Sequence, residues 1–134
     1  MNKSTSLPPP RFQVFVGFHT DVGRQRQKNE DALVEVGVPL GYLLAVADGM
    51  GGHDYGDRAA IMALNTIQES LRESTDQPQE SLAKSLRKAN AVVFKEAEEV
   101  GRTMGATCVA GLISGGKLYV AHVGDARAYL LRAL

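Results

Sequence analysis

The chain has 134 residues, 44% of them hydrophobic and 22% charged, enough apolar content for one soluble globular domain with a core of its own. Fifteen Lys and Arg balance 15 Asp and Glu, so no basic excess marks a partner such as nucleic acid or an acidic membrane surface. The longest apolar runs, such as Tyr42 to Ala47, fall far short of a membrane span, and "MNKSTSLPPP" has no apolar signal core, so the expectation is a cytoplasmic protein.

Residues 1–11 read as a flexible tail carrying three consecutive prolines, Pro8 to Pro10, and 12–134 as the folded portion. In "RFQVFVGFHT", Phe12, Val14, Val16 and Phe18 alternate, which predicts a strand. "DVGRQRQKNED" is polar and reads as a loop or a short helical turn. "ALVEVGV" and "YLLAVAD" are the next strands, joined by a turn at Val38-Pro39-Leu40-Gly41. From Tyr55 the period changes: Ala60, Leu64, Ile67 and Leu71 form one stripe of an amphipathic helix. "ESTDQPQE" breaks it, and a second helix carries Leu82, Leu86, Ala89, Val93, Ala97 and Val100 until Gly101. "TCVAGLI" and "KLYVAHV" then flank a hairpin turn at Ser114-Gly115-Gly116, and "ARAYLLRAL" follows Gly124-Asp125 as a further strand. Strands, two helices and an antiparallel meander define an α+β class with helices packed on an antiparallel sheet.

The chemistry-bearing residues gather at strand ends. Asp48 and Asp125 each stand where an apolar strand meets a glycine-containing turn, and Glu30-Asp31 close the polar loop. A carboxylate at the end of a buried strand needs a partner, and a hard divalent cation such as Mg²⁺ or Mn²⁺ supplies one through oxygen ligands. The Gly49 carbonyl beside Asp48 offers another oxygen. No Cys/His spacing suggests zinc. Taken singly, each acid is a turn former, Arg24 and Arg26 are solvated charges, His53 is a helix-start residue or a solvated side chain, and His19 and His122 are structural. "GMGG" lacks the Lys-Ser/Thr of a phosphate-binding P-loop. Cys108, the only cysteine, reads as an inert core filler.

Together the stretches are more specific. "DVGRQRQKNEDA", "VADGMGGH", "MGATCVAGLI" and "YVAHVGDARAYLLR", in this order, resemble the first four signature blocks of the PPM-type metal-dependent protein phosphatases, the type 2C family, in their bacterial form. The resemblance runs from about Val14 to Arg132. It implies the N-terminal part of a layered α-β-β-α sandwich with a Mg²⁺ or Mn²⁺ centre, two or three ions in the complete domain. It further implies that Asp48 bridges two metals, that the Gly49 carbonyl binds one, and that Arg26 holds the substrate phosphate. Glu30 and Asp31 match acids that reach the metals through water, and Asp125 matches a ligand of an outlying third metal. Thr107 and His53 lie near the site in the bacterial pattern. The implied reaction is hydrolysis of phosphoserine or phosphothreonine in proteins, substrates of a serine/threonine kinase, by a metal-activated water.

Three departures qualify these expectations. Met50 stands where the animal branch has His, Ala126 replaces a common Ser, and nothing matches the two aspartates of the family's later half. This chain alone is therefore expected to have little activity and to self-associate through an uncovered sheet. The rival reading is a non-catalytic remnant that binds phosphoproteins through Arg26 or packs on a partner.

Overall fold

A computed structural model describes residues 13–52 and 54–133. The elements run β1 (Asp31–Val38), β2 (Gly41–Met50), α1 (Tyr55–Glu73), α2 (Pro78–Val100), β3 (Gly105–Ser114) and β4 (Lys117–Val123). The four strands form one antiparallel sheet in the order β1-β2-β3-β4, and both helices cover a single face. Among the described residues this is one sheet and one helix pair, the N-terminal part of the layered sandwich that the resemblance implied.

The two helical stripes explain the packing. Ala60, Leu64, Ile67 and Leu71 of α1 are buried together with Leu43, Ala45 and Ala47 of β2 and Cys108, Ala110 and Leu112 of β3. Alanines on both surfaces (Ala59, Ala60 and Ala63 on α1) leave little between helix and sheet. Leu82, Leu86, Ala89 and Val93 of α2 complete the core, while Ala97 and Val100 are half-buried against it. Pro78 opens α2 as its first residue, where its missing N–H costs nothing, so this helix begins earlier than its apolar stripe. Gly101 ends it in the left-handed conformation, with Arg102 N–H donating back to the Ala97 carbonyl at 3.1 Å.

The hairpins set the register. Gly115 and Gly116, at φ 57° and 75°, make the two-residue turn of β3-β4, a conformation that glycine adopts without strain. In β1-β2, Val38 faces Gly41 across Pro39-Leu40. Counting seven residues back along each strand from that turn puts Asp31 opposite Asp48, the last rung of the β1-β2 ladder. β2 does not stop at Asp48 as expected. It runs on to Met50, because Gly49 and Met50 still pair with Ala106 and Gly105 of β3.

Two expected strands are absent among the described residues. Residues 13–20 and 126–133 form no ladder, and Phe12 and Leu134 lie outside the described residues. An extended segment becomes a strand only when another backbone takes up its N–H and C=O groups, and alternation along the sequence does not supply that partner. Gln13 and Val14 line a cleft with Ile113 and Leu118, and His19 and Thr20 line another with Val46 and Asp48. Residues 13–20 therefore run across the open face of the sheet without joining it. That face keeps Val46, Leu118 and Val120 about half exposed, and Leu131 beyond β4 is 98% exposed. The tail residues 1–11 lie outside the described residues.

Candidate metal and phosphate site

The site forms at the end of the sheet where β1 begins and β2 reaches Asp48. Antiparallel pairing puts the Asp31 and Asp48 side chains on the same, open face, and β3 sets Thr107 on the other side of Asp48. Beyond Thr107 the chain leaves β4 through Gly124 to Asp125. Gly124 approaches so closely that a Cβ there would lie 2.7 Å from the Thr107 methyl carbon. One row across the sheet end thus brings together Asp31, Asp48 and Thr107, with Asp125 beside them.

Electrostatics reports the same grouping. The Asp48 carboxyl is pushed above its usual range, first by loss of water around it and then by the charge of Asp31 and a hydrogen bond with it. The Asp125 charge adds to the rise, and Arg26 opposes it. Like-charged carboxylates facing each other repel, and a cation between them would offset that repulsion.

The loop before β1 supplies the positive side. Asp21 accepts the Gly23 N–H at 2.7 Å, Asn29 donates to Thr20 at 2.8 Å, and Asp31 N–H donates to the Asn29 side chain at 3.0 Å, so the loop is folded by its own polar residues. Arg26, its side chain 78% exposed, stands 3.9 Å from Glu30, whose side chain is 22% exposed. Lys28 ties the loop to the start of α1 through Asp54 at 2.6 Å and Asp57 at 3.0 Å. Both partners hold the Lys28 ammonium above its ordinary pKa, the hydrogen bond to Asp54 most. Asp21, Arg26, Glu30, Asp31, Asp48 and Gly49 line one open basin of about 520 Å³.

The donor set suits a hard divalent cation. It is built of carboxylate oxygens and one carbonyl, and the buried Thr107 hydroxyl beside it has no hydrogen-bond partner among the described residues. The set is partial: among the described residues, no group of three or more His, Cys, Asp or Glu side chains is arranged to hold a metal ion. Asp31, Asp48 and Gly49 would hold such an ion, with Glu30 and Asp125 close by and water completing the shell. His53 lies outside the described residues. Sequence reading assigned nothing to Asp21 and treated His19 as structural, yet both line a cleft with Asp31 and Asp48. The Asp21-Val22-Gly23 turn signature was the available signal for the former. His122 lies on β4, paired with Val109.

Cys108 sits elsewhere. Its side chain faces the helices, and burial pushes the thiol up to about 11, so it is no thiolate near neutral pH.

An acidic, oxygen-donor sheet end faces an arginine-bearing loop, a donor set of the class that suits a divalent cation and a phosphoryl group. The comparisons give that class its family: the sequence model of protein phosphatase 2C matches residues 20–133, and the chain belongs to this family. A serine/threonine phosphatase stp of Listeria monocytogenes is 36% identical over 123 residues, covering 86% of this chain and 49% of the relative. The Staphylococcus aureus phosphatase Stp1 superposes with a TM-score of 0.70 at 30% identity, over 85% of this chain and 48% of that one. The catalytic domain of the phosphatase PstP, solved in complex with two manganese ions, gives 0.68 at 30% identity over 80% of this chain and 46% of that one. The chain spans about half the length of the Listeria relative and of these structures.

Proposed function

We propose that the chain carries the Asp48-centred metal site and the phosphate-binding loop of a protein serine/threonine phosphatase, one that hydrolyses phosphoserine and phosphothreonine in cytoplasmic phosphoproteins. The observation that carries the reading is the facing pair Asp31–Asp48 on the last rung of β1-β2, with Arg26 across the basin. Arg26 presents a guanidinium fork to the phosphoryl oxygens and offsets charge that grows there during transfer. Asp48, Asp31 and the Gly49 carbonyl hold the cation, Glu30 orients solvent beside it, and Asp125 lends its charge from the β4 side. Mg²⁺ or Mn²⁺, once bound, supplies a water acidic enough to act as nucleophile near neutral pH. Attack by water needs no enzyme nucleophile, in keeping with the burial of Cys108 on the opposite face.

The partial donor set favours a second reading, phosphoprotein binding through Arg26 without turnover, and it leads us to infer that this chain by itself hydrolyses little. The test is an assay of the chain with a phosphothreonine peptide. Turnover should be slow, should require Mn²⁺, and should vanish with EDTA or in Asp48→Asn. Rapid hydrolysis in EDTA, or equal hydrolysis by Asp48→Asn, would overturn the phosphatase reading. Peptide binding that depends on Arg26, without any Mn²⁺ binding, would favour the second.

A further inference from the structure

Glu30 is held twice at the rim of the basin. Its backbone carbonyl accepts the Gly49 N–H at 3.0 Å, which extends the β1-β2 ladder by one bond and fixes the residue next to Asp48. Its side chain folds back onto Gly56 in the first turn of α1. A Cβ placed on Gly56 would lie 2.7 Å from the Glu30 carboxyl carbon and nearer still to one carboxylate oxygen, and 3.1 Å from the carbonyl carbon of Gly49. The two tightest of these neighbours belong to the end of a flexible side chain. A side chain at 56 would therefore displace the Glu30 carboxylate rather than unseat the helix.

We propose that Gly56 is a positioning residue for the metal site: its missing side chain makes the seat that aims the Glu30 carboxylate into the basin between Arg26 and Gly49. The proposal rests on the reading of the basin as a metal centre. Gly56 touches no substrate and no ion and acts through Glu30. Its helical position makes the idea testable, because glycine in a helix is less favourable than alanine. Alanine at 56 should help the helix while it harms the site, and a purely structural glycine would not separate those effects.

The experiment measures Mn²⁺ affinity of the 134-residue chain from the free-ion paramagnetic resonance signal, and thermal stability in EDTA. The variants are Gly56→Ala, Glu30→Gln, the double variant, and Asp48→Asn as reference. Gly56→Ala should weaken Mn²⁺ binding about tenfold, as loss of an orienting partner commonly does, with stability in EDTA unchanged or raised. The double variant should bind no more weakly than Glu30→Gln alone, since both changes act through one carboxylate. Parent-like Mn²⁺ affinity in Gly56→Ala, while Asp48→Asn loses binding, would overturn this proposal and leave the metal reading standing. A Gly56→Ala loss that adds in full to that of Glu30→Gln, with a fall in stability, would also overturn it. Parent-like affinity in Asp48→Asn would remove the metal reading and this proposal with it.

Discussion

Gly49→Ala should be among the most disruptive single-methyl additions in this protein. A Cβ at Gly49 would lie 2.8 Å from the Glu30 carbonyl oxygen and closer than that to the carbonyl carbon and oxygen of Gly56. All three are backbone atoms, so no rotamer change relieves the overlap; β2 must part from the first turn of α1 or from the loop before β1. Forced methyl groups in packed interiors cost about 1–3 kcal/mol, and a wholly backbone collision belongs at or above the top of that range. For a chain of this size about 3 kcal/mol corresponds to a fall in Tm on the order of 10 °C. Thermal unfolding followed by circular dichroism in EDTA reads the effect with no metal involved. A Tm equal to the parent's would refute the reasoning, because it would mean that α1 does not rest on β2 at Gly49. Gly56→Ala is the contrast, since its overlap is chiefly with a side chain that can move.

Other outcomes follow from the same geometry. Arg26→Ala should raise KM for phosphopeptides and weaken inorganic phosphate binding while leaving Mn²⁺ affinity nearly intact; a loss confined to Mn²⁺ affinity would contradict its assignment to phosphate. The raised Asp48 carboxyl keeps its proton to higher pH in the folded chain than in the unfolded one. Its contribution to stability is thus present at low pH and lost as pH rises from about 4, the ordinary carboxylate value, through the raised folded one. Without metal, Asp48→Asn should accordingly be more stable than the parent near neutral pH, the gap closing in acid and on addition of Mn²⁺ to the parent; a gap that widens in acid would contradict the sign. The open sheet face should drive self-association, and Val120→Lys, half exposed on that face, should reduce it in light scattering. A parent chain that stays monomeric at high concentration would count against this.

The sequence was most legible where burial on one face leaves a period. Ala60, Leu64, Ile67 and Leu71 repeat at helical spacing because one side of α1 meets the sheet, and all four are buried. The β3-β4 hairpin was equally plain, since two adjacent glycines between apolar runs allow few other conformations. Alternation misled at Val14, Val16 and Phe18: it records a two-sided environment but not the strand that must supply hydrogen bonds, and among the described residues none does. "ARAYLLRAL" failed for the same reason. In the site, Asp48 and Gly49 stood out from their strand-to-glycine setting, whereas the pairing of Asp48 with Asp31 came from register. That register was recoverable by counting back from the Pro39-Leu40 turn. The role of Gly56 was not recoverable, because it depends on how closely α1 comes down on Glu30, a distance that no local pattern encodes.

The most direct test of the account is a calorimetric titration of Mn²⁺ into the parent chain and into Asp48→Asn near neutral pH. The account predicts weak, saturable binding to the parent, since Asp31, Asp48 and one carbonyl leave much of the shell to water, and no measurable binding to the variant. Superimposable isotherms for the two proteins would contradict it.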